Sequence, residues 1–293
     1  MNKLSFFEKL SRRREAGKYV CFGFDPVYDR IPKASLMYDQ DTAISKQPEE
    51  MLNFCKKLIE PATEVVGCFK PNIAFFERYG SRGISALEDL IAEMRKRAPE
   101  IPIILDAKRA DIGKTNEGYA EFAFDHLKVD AITVQPYFGH EAMEPFWRHA
   151  DKGVIVLCKT SNPGSGEFQN LPVYNDKRKP LYQQVAENVA NHKMWNLYGN
   201  CALMVGATFP EELMAVRGIV GNMEILIPGV GTQGGSAEMA VRAGMNSRRS
   251  GFIINTSSGA MFASSGPDFV EATVNNLTKI NDEITNTLSD YLR

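Results

Sequence analysis

The chain has 293 residues, 44% hydrophobic and 24% charged, a composition that supports a packed core and argues against disorder. Its 34 basic and 36 acidic side chains leave a formal charge of −2, which excludes a nucleic-acid binder held by bulk charge. No apolar run reaches the roughly 18–20 residues that cross a membrane.

The N-terminal stretch MNKLSFFEKLSRRRE lacks an uninterrupted apolar core of about 7–15 residues, so a cytoplasmic, non-exported chain is expected. Ser5 and Glu8 are spaced as a capping box for a helix carrying Phe6, Phe7 and Leu10, with Gly17 near its stop. The basic residues 12–14 and Lys18 read as that helix's solvated face. Pro48 suits the first turn of a second helix, ahead of Met51, Phe54, Cys55 and Leu58. Ser85 and Glu88 predict another capped start, before Leu87, Leu90, Ile91 and Met94. A last helix is expected from Asp268, with Val270, Leu277, Ile280, Ile284 and Leu288 at helical spacing.

Between the helical patterns lie short runs rich in Val, Ile and Phe, at 19–24, 65–70, 102–106, 131–135, 154–159, 202–207, 224–228 and 251–255. They read as strands buried on both faces. Cys21, Cys68, Cys158 and Cys201 fall in these runs, and no CxxC pair is present, so buried, reduced thiols are expected. Eight strands alternating with helices predict a single (β/α)8 TIM barrel, with an open doubly wound sheet as the alternative. Length over about 150 allows two domains, but barrels fold as one. No linker rich in Pro, Gly or Ser divides the chain, so one domain over 1–293 is expected. The extra length falls in connections at about 27–64 and 160–200.

Each strand ends on polar residues or glycines, and in a barrel these ends share one mouth. In ILDAKRADIGKT, Asp106 and Lys108 are two apart and so point to one side of a strand end. Asp111 follows three residues on, and Thr115 is a candidate cap for the next helix. Lys70 ends the run CFKPN, where Pro71 and Asn72 constrain the chain. Two lysines and two aspartates would then alternate in the mouth. A salt-bridge ladder that only closes the barrel is the plain alternative. Burying such charges is costly unless they are paired, and perturbed charges cluster at functional sites. A lysine held between carboxylates stays protonated and can deliver a proton to a carbanion. An aspartate beside a substrate carboxylate repels it by roughly 4 kcal/mol at about 4 Å and an effective dielectric near 20. Loss of CO2 removes that repulsion and leaves the carbanion facing a preorganised ammonium.

Two loops complete the pattern. In IPGVGTQGGS, Gly229, Gly231, Gly234 and Gly235 allow backbone amides to approach an anion, ahead of a helix near Ser236. The run follows the seventh strand, where barrel phosphate sites lie; a tight turn is the plain alternative. The segment KTSNPGSGEF after the fifth strand reads as a lid or base-recognition loop, in which Ser161 can donate or accept.

The motifs FGFDP, FKPN, LDAKRADIGKT, TSNPG and PGVGTQGG, in this order, resemble the orotidine 5'-phosphate decarboxylase family, in its longer bacterial form. The resemblance implies conversion of OMP to UMP by a homodimer with shared sites, without metal or organic cofactor. Lys108 would protonate C6 of the pyrimidine, Asp106 would face the departing carboxylate, and Lys70 would hold Asp106 and contact the ribose. Asp111 would reach the partner's site, with Thr115 beside it. Asp25 would bind the ribose hydroxyls, with Asn72 in the substrate-binding set. Ser161 would read the pyrimidine edge. Gln233 and the backbone around Gly229 and Gly231 would hold the phosphate.

One departure stands out. Where the family carries a run like NSSRG after the eighth strand, this chain has NTSSG, and Ser258 occupies the arginine's place. A charge-assisted hydrogen bond contributes roughly 1.5–3 kcal/mol, or about 10- to 150-fold. Ser257, Ser258 and the Gly259 amide would remain to cradle phosphate; Arg248 and Arg249 precede the strand and are expected at the barrel's other end. A Mg²⁺-dependent sugar-phosphate decarboxylase using Asp106 and Asp111, a Schiff-base aldolase and a catalytically silent phosphate-binding barrel are the alternatives. The four histidines, at 126, 140, 149 and 192, show no ligand spacing.

Overall fold

The computed structural model describes residues 4–38, 44–174, 178–230 and 235–291. Its strands are β1 (Val20–Phe24), β2 (Val66–Pro71), β3 (Ile104–Arg109), β4 (Ala131–Val134), β5 (Gly153–Lys159), β6 (Cys201–Val205), β7 (Ile225–Ile227) and β8 (Phe252–Thr256). They pair in parallel in the order β2-β1-β8-β7-β6-β5-β4-β3. Bridges Phe69↔Ile103 and Asn72↔Asp106 join the two ends, β2 and β3. The sheet is therefore the (β/α)8 barrel rather than the open alternative.

The strands lack polar alternation because both of their faces are covered. Side chains such as Cys21, Cys68, Ile155, Ala202 and Leu226 fill the interior, with Phe6 and Leu10 of the Phe6–Glu15 helix. Phe6 lies where a Cβ on Gly153, the first residue of β5, would sit 2.3 Å from its ring. That glycine lets the helix close the N-terminal end of the barrel. Outside the strands, Phe54 and Leu58 of the Gln47–Ala62 helix and Leu87 and Leu90 of Gly80–Arg97 build the larger core. All five cysteines are buried and free.

Ser5 and Glu8 form the expected capping box, Ser236 accepts from Met239 N at the head of Ala237–Gly244, and Asp268 precedes the Phe269–Asp290 helix. Two local expectations fail. Ser85 and Glu88 lie inside Gly80–Arg97 rather than at its start. Gly80, at φ +61°, turns the chain into the helix early. Gly83 then packs so closely on the Phe76 carbonyl that an added Cβ would stand 1.9 Å from its oxygen. Thr115 is no cap either: Ile112 holds that position before Gly113–Glu121, and Thr115 N donates to Ile112 O at 3.2 Å. Here the backbone closes the first turn without a side-chain cap. Among the described residues, no helix is long and apolar enough to cross a membrane.

Candidate active site

Lys70 and Asp106 meet because β2 and β3 are joined at their C-terminal ends. Lys70 Nζ donates to Asp106 Oδ2 at 2.8 Å, and both residues are buried, at 3% and 5% exposure. Lys108 Nζ donates to the other oxygen, Oδ1, at 2.5 Å. Its side chain stays 41% exposed while that of Asp106 is 6% exposed. Burial pushes the Asp106 carboxyl up, but the two ammonium groups together outweigh it and hold it well below the usual carboxylate range. Burial alone would discharge Lys70; Asp106 and Asp25 together outweigh that and raise it above an ordinary lysine.

A side chain that the sequence reading overlooked organises this pair. Thr133, fully buried on β4, donates to Asp106 Oδ1 at 2.9 Å. Its hydroxyl accepts from Ala107 N at 2.9 Å and Lys108 N at 3.0 Å. Those amides are turned away from the regular ladder, because the β3–β4 register shifts between Leu105 and Arg109 and Lys108 sits at φ +49°. A bulge of this kind re-aims a side chain. The available signal was a lone threonine in the apolar run AITV.

Asp25 ends β1. Its Oδ1 is buried without a hydrogen-bond partner among the described residues. Burial raises its carboxyl above the usual range; Lys70 and a hydrogen bond with Ser257 pull it down, and Asp106 pushes it up. A Cβ on Gly23 would lie 1.9 Å from Ser257 Oγ, so only glycine lets Ser257 of the β8 end approach so closely. Within one chain, then, Asp25 is the fourth charge near the two lysines. Asp111 Oδ1 instead accepts from Ile112 N at 2.7 Å, and among the described residues no ion pair joins it to Lys70 or Lys108. Thr115 is exposed in the first turn of Gly113–Glu121. Asn72 Oδ1 accepts from Ala74 N at 3.2 Å and shapes the turn after β2.

A cavity of about 770 Å³ opens beside this cluster, lined by Asp106, Lys108, Ser161, Phe168, Tyr182 and Met204 among others. Its size and apolar lining with a few polar groups suit a small organic ligand. Ser161 faces it from the loop after β5. Gly229, at φ +97°, turns the chain after β7, and its carbonyl accepts from Gly235 N at 3.3 Å. Gly231 and Gln233 lie outside the described residues. Ser257, Ser258 and Gly259 are half-buried at the end of β8, which pairs with β7. Arg248 and Arg249 line a separate cleft with Arg14 and Glu224, before β8 begins and away from the mouth.

The family model described as orotidine 5'-phosphate decarboxylase / HUMPS matches residues 20–259. The chain belongs to this family. It is 42% identical over 270 residues to the orotidine 5'-phosphate decarboxylase of Janthinobacterium sp. (strain Marseille), covering 92% of this chain and 94% of that protein. Leishmania donovani OMP decarboxylase is 36% identical with a TM-score of 0.78, over 96% of this chain and 99% of that one. Leishmania donovani UMP synthase is 38% identical with a TM-score of 0.81, and this chain spans 57% of its length. The span matched to the decarboxylase family runs from β1 to the NTSSG turn, so it holds the Lys70–Asp106–Lys108 cluster, the β5 and β7 loops and Ser258.

Proposed function

We infer that the chain is a carboxy-lyase that converts orotidine 5'-phosphate to UMP and CO2 in pyrimidine biosynthesis. The observation that carries the mechanism is the buried carboxylate of Asp106 held between two ammonium groups at the edge of the cavity. Bound OMP places its C6 carboxylate against Asp106. The C6–carboxyl bond breaks, CO2 leaves, and the electron pair remains on C6. Lys108 Nζ then gives up a proton to C6, forming UMP, and the neutral amine is reprotonated from solvent. Lys70 keeps Asp106 ionised and in place. Preorganised cations act here without reorganising during the reaction, which makes such stabilisation effective.

Asp25, with one buried oxygen lacking a partner among the described residues, accepts from the ribose hydroxyls, with Asn72 and Thr115 on the same side. Ser161 reads the pyrimidine edge. Gly229, Gly231, Gln233 and the 257–259 turn hold the phosphate. No metal or organic cofactor is needed, because the fixed charges supply the electrostatics. A metal at Asp106 would compete with two ammonium groups already on its oxygens. The functional unit is a cytoplasmic homodimer in which Asp111 completes the partner's site. In support, Ile112 is 61%, Tyr137 92% and Phe138 49% exposed near the mouth, apolar surface suited to a second copy. The whole chain is one domain, whose connections at about 27–64 and 160–200 serve the mouth.

The test is UMP and CO2 formation from OMP by purified protein in the presence of a chelator. Stoichiometric products are expected. Absence of turnover by folded protein, with or without Mg²⁺, would overturn the reading, and strict dependence on Mg²⁺ would move it to the sugar-phosphate branch.

A further inference from the structure

We propose that Lys159 is a positioning residue that holds the 160–170 loop, and with it Ser161, in register with the pyrimidine. This rests on the assignment of Ser161 to the base edge given above. Lys159 is the last residue of β5 and is 2% exposed, and the decarboxylation chemistry does not use it. A lysine is almost never buried this far without partners, and its partners here belong mainly to the loop. Its Nζ donates to Ser165 Oγ at 3.1 Å and Asn170 Oδ1 at 3.0 Å. Glu212, on the Pro210–Val220 helix, stands 3.6 Å away. The rings of Tyr182 and Phe209 lie 5.9 and 5.4 Å from the ammonium, within cation–π range.

The loop is therefore folded around a cation anchored in the barrel wall. Its two arms are tied together near the same point: Gln169 accepts from Thr160 N at 2.9 Å and donates to Thr160 Oγ1 at 2.8 Å. Ser165 N donates to Asn162 O at 3.0 Å. Ser161 sits between these fastenings. On its other side is Gly206, where an added Cβ would be 2.8 Å from Ser161 Cβ, while Gly206 N donates to Lys159 O at 2.9 Å. Ser161 is thus fixed from below by Gly206 and from the loop side by the Lys159 contacts. A lysine is suited to this, because one ammonium satisfies acceptors at the middle and at the C-terminal end of the loop at once.

A double-mutant cycle in OMP decarboxylation tests the proposal. Wild-type conversion of OMP checks the function by itself, and Ser161→Ala checks the base-edge assignment. Lys159→Met is expected to lower kcat/KM for OMP by roughly 10- to 100-fold, the scale of an ångström-level misplacement. In the Ser161→Ala background the same change is expected to stay within about twofold, since residues acting through one contact are not additive. An equal loss in both backgrounds, or no loss in either, overturns the proposal. A harmless Ser161→Ala overturns it too, while leaving OMP conversion standing. If Lys159→Met does not fold, the Ser165→Ala, Asn170→Ala double variant keeps the lysine and removes its loop acceptors. The same non-additivity with Ser161→Ala is then expected, and additivity counts against the proposal.

Discussion

Lys108 occupies a left-handed backbone conformation, φ +49°, which costs a non-glycine residue about 1–3 kcal/mol and persists only where its surroundings over-determine it. Here the Thr133 hydroxyl takes the Ala107 and Lys108 amides, and Asp106 takes the side chain. Because Lys108 is assigned to proton delivery, Lys108→Ala should abolish UMP formation while UMP binding, followed calorimetrically, remains measurable. Equal loss of folding and binding would instead favour a purely structural salt bridge. Ser258 has the opposite character. It brings no charge to a turn where an arginine would add a charge-assisted hydrogen bond. Ser258→Arg should raise kcat/KM for OMP, by up to about 10- to 150-fold. No gain, with the new guanidinium seen at the phosphate of a bound analogue, would show that other groups already neutralise it.

At the scale of elements, strand ends are brought closer together than side chains normally allow, and glycines make this possible. The end of β8 crosses over β1 at Gly23, where a Cβ would meet Ser257 Oγ at 1.9 Å. The Ser257 hydroxyl, which bonds Asp25, depends on that approach. Gly23→Ala is expected to displace Ser257, to raise KM for OMP more than it lowers kcat, and to destabilise the fold by about 1–3 kcal/mol, as overpacking does. Steady-state kinetics with thermal melts would check this. An unchanged KM in a destabilised protein would detach Ser257 and Asp25 from substrate binding.

At the scale of the molecule, the mouth holds neighbouring acids with opposite effects on stability. The folded pKa of Asp106 lies below the unfolded value of about 3.9. Its stabilisation is therefore present above about pH 3.9 and lost as pH falls through the folded value. The pKa of Asp25 is raised, first by burial, so its ionisation in the fold lowers stability as pH rises from about 3.9 through the folded value. Asp25→Asn should accordingly raise the unfolding temperature near pH 7, with the gain shrinking towards pH 4, while weakening OMP binding. A variant that melts lower than wild type at pH 7 would contradict this sign. The proposed sharing of sites in a homodimer makes a further prediction. Mixing inactive Lys108→Ala and Asp111→Ala proteins should restore activity, to about one site in four for random exchange in a two-fold dimer. No recovery after demonstrated subunit exchange would place Asp111 in its own chain's site or outside catalysis.

By itself the sequence determined the barrel and most of its charges. The β-runs are apolar on both faces, the Ser5–Glu8 box spans four residues, and Asp106 and Lys108 share a strand face. All of these are signals written within a few residues. The tertiary structure decided which groups meet. Lys70 reaches Asp106 only because β2 and β3 close the barrel. Thr133 reaches it from β4, and Ser257 reaches Asp25 from the far end of the chain. Lys159 is surrounded by a loop and two helices. The early start of the Gly80–Arg97 helix was missed because a tight contact with Phe76 O outweighed the local Ser85 signal. Thr115 was misread as a cap because the backbone at Ile112 closes that turn unaided. Hydrogen bonds and close contacts between residues distant in the chain leave no local pattern, so closure of the barrel is what turned a list of charges into one site.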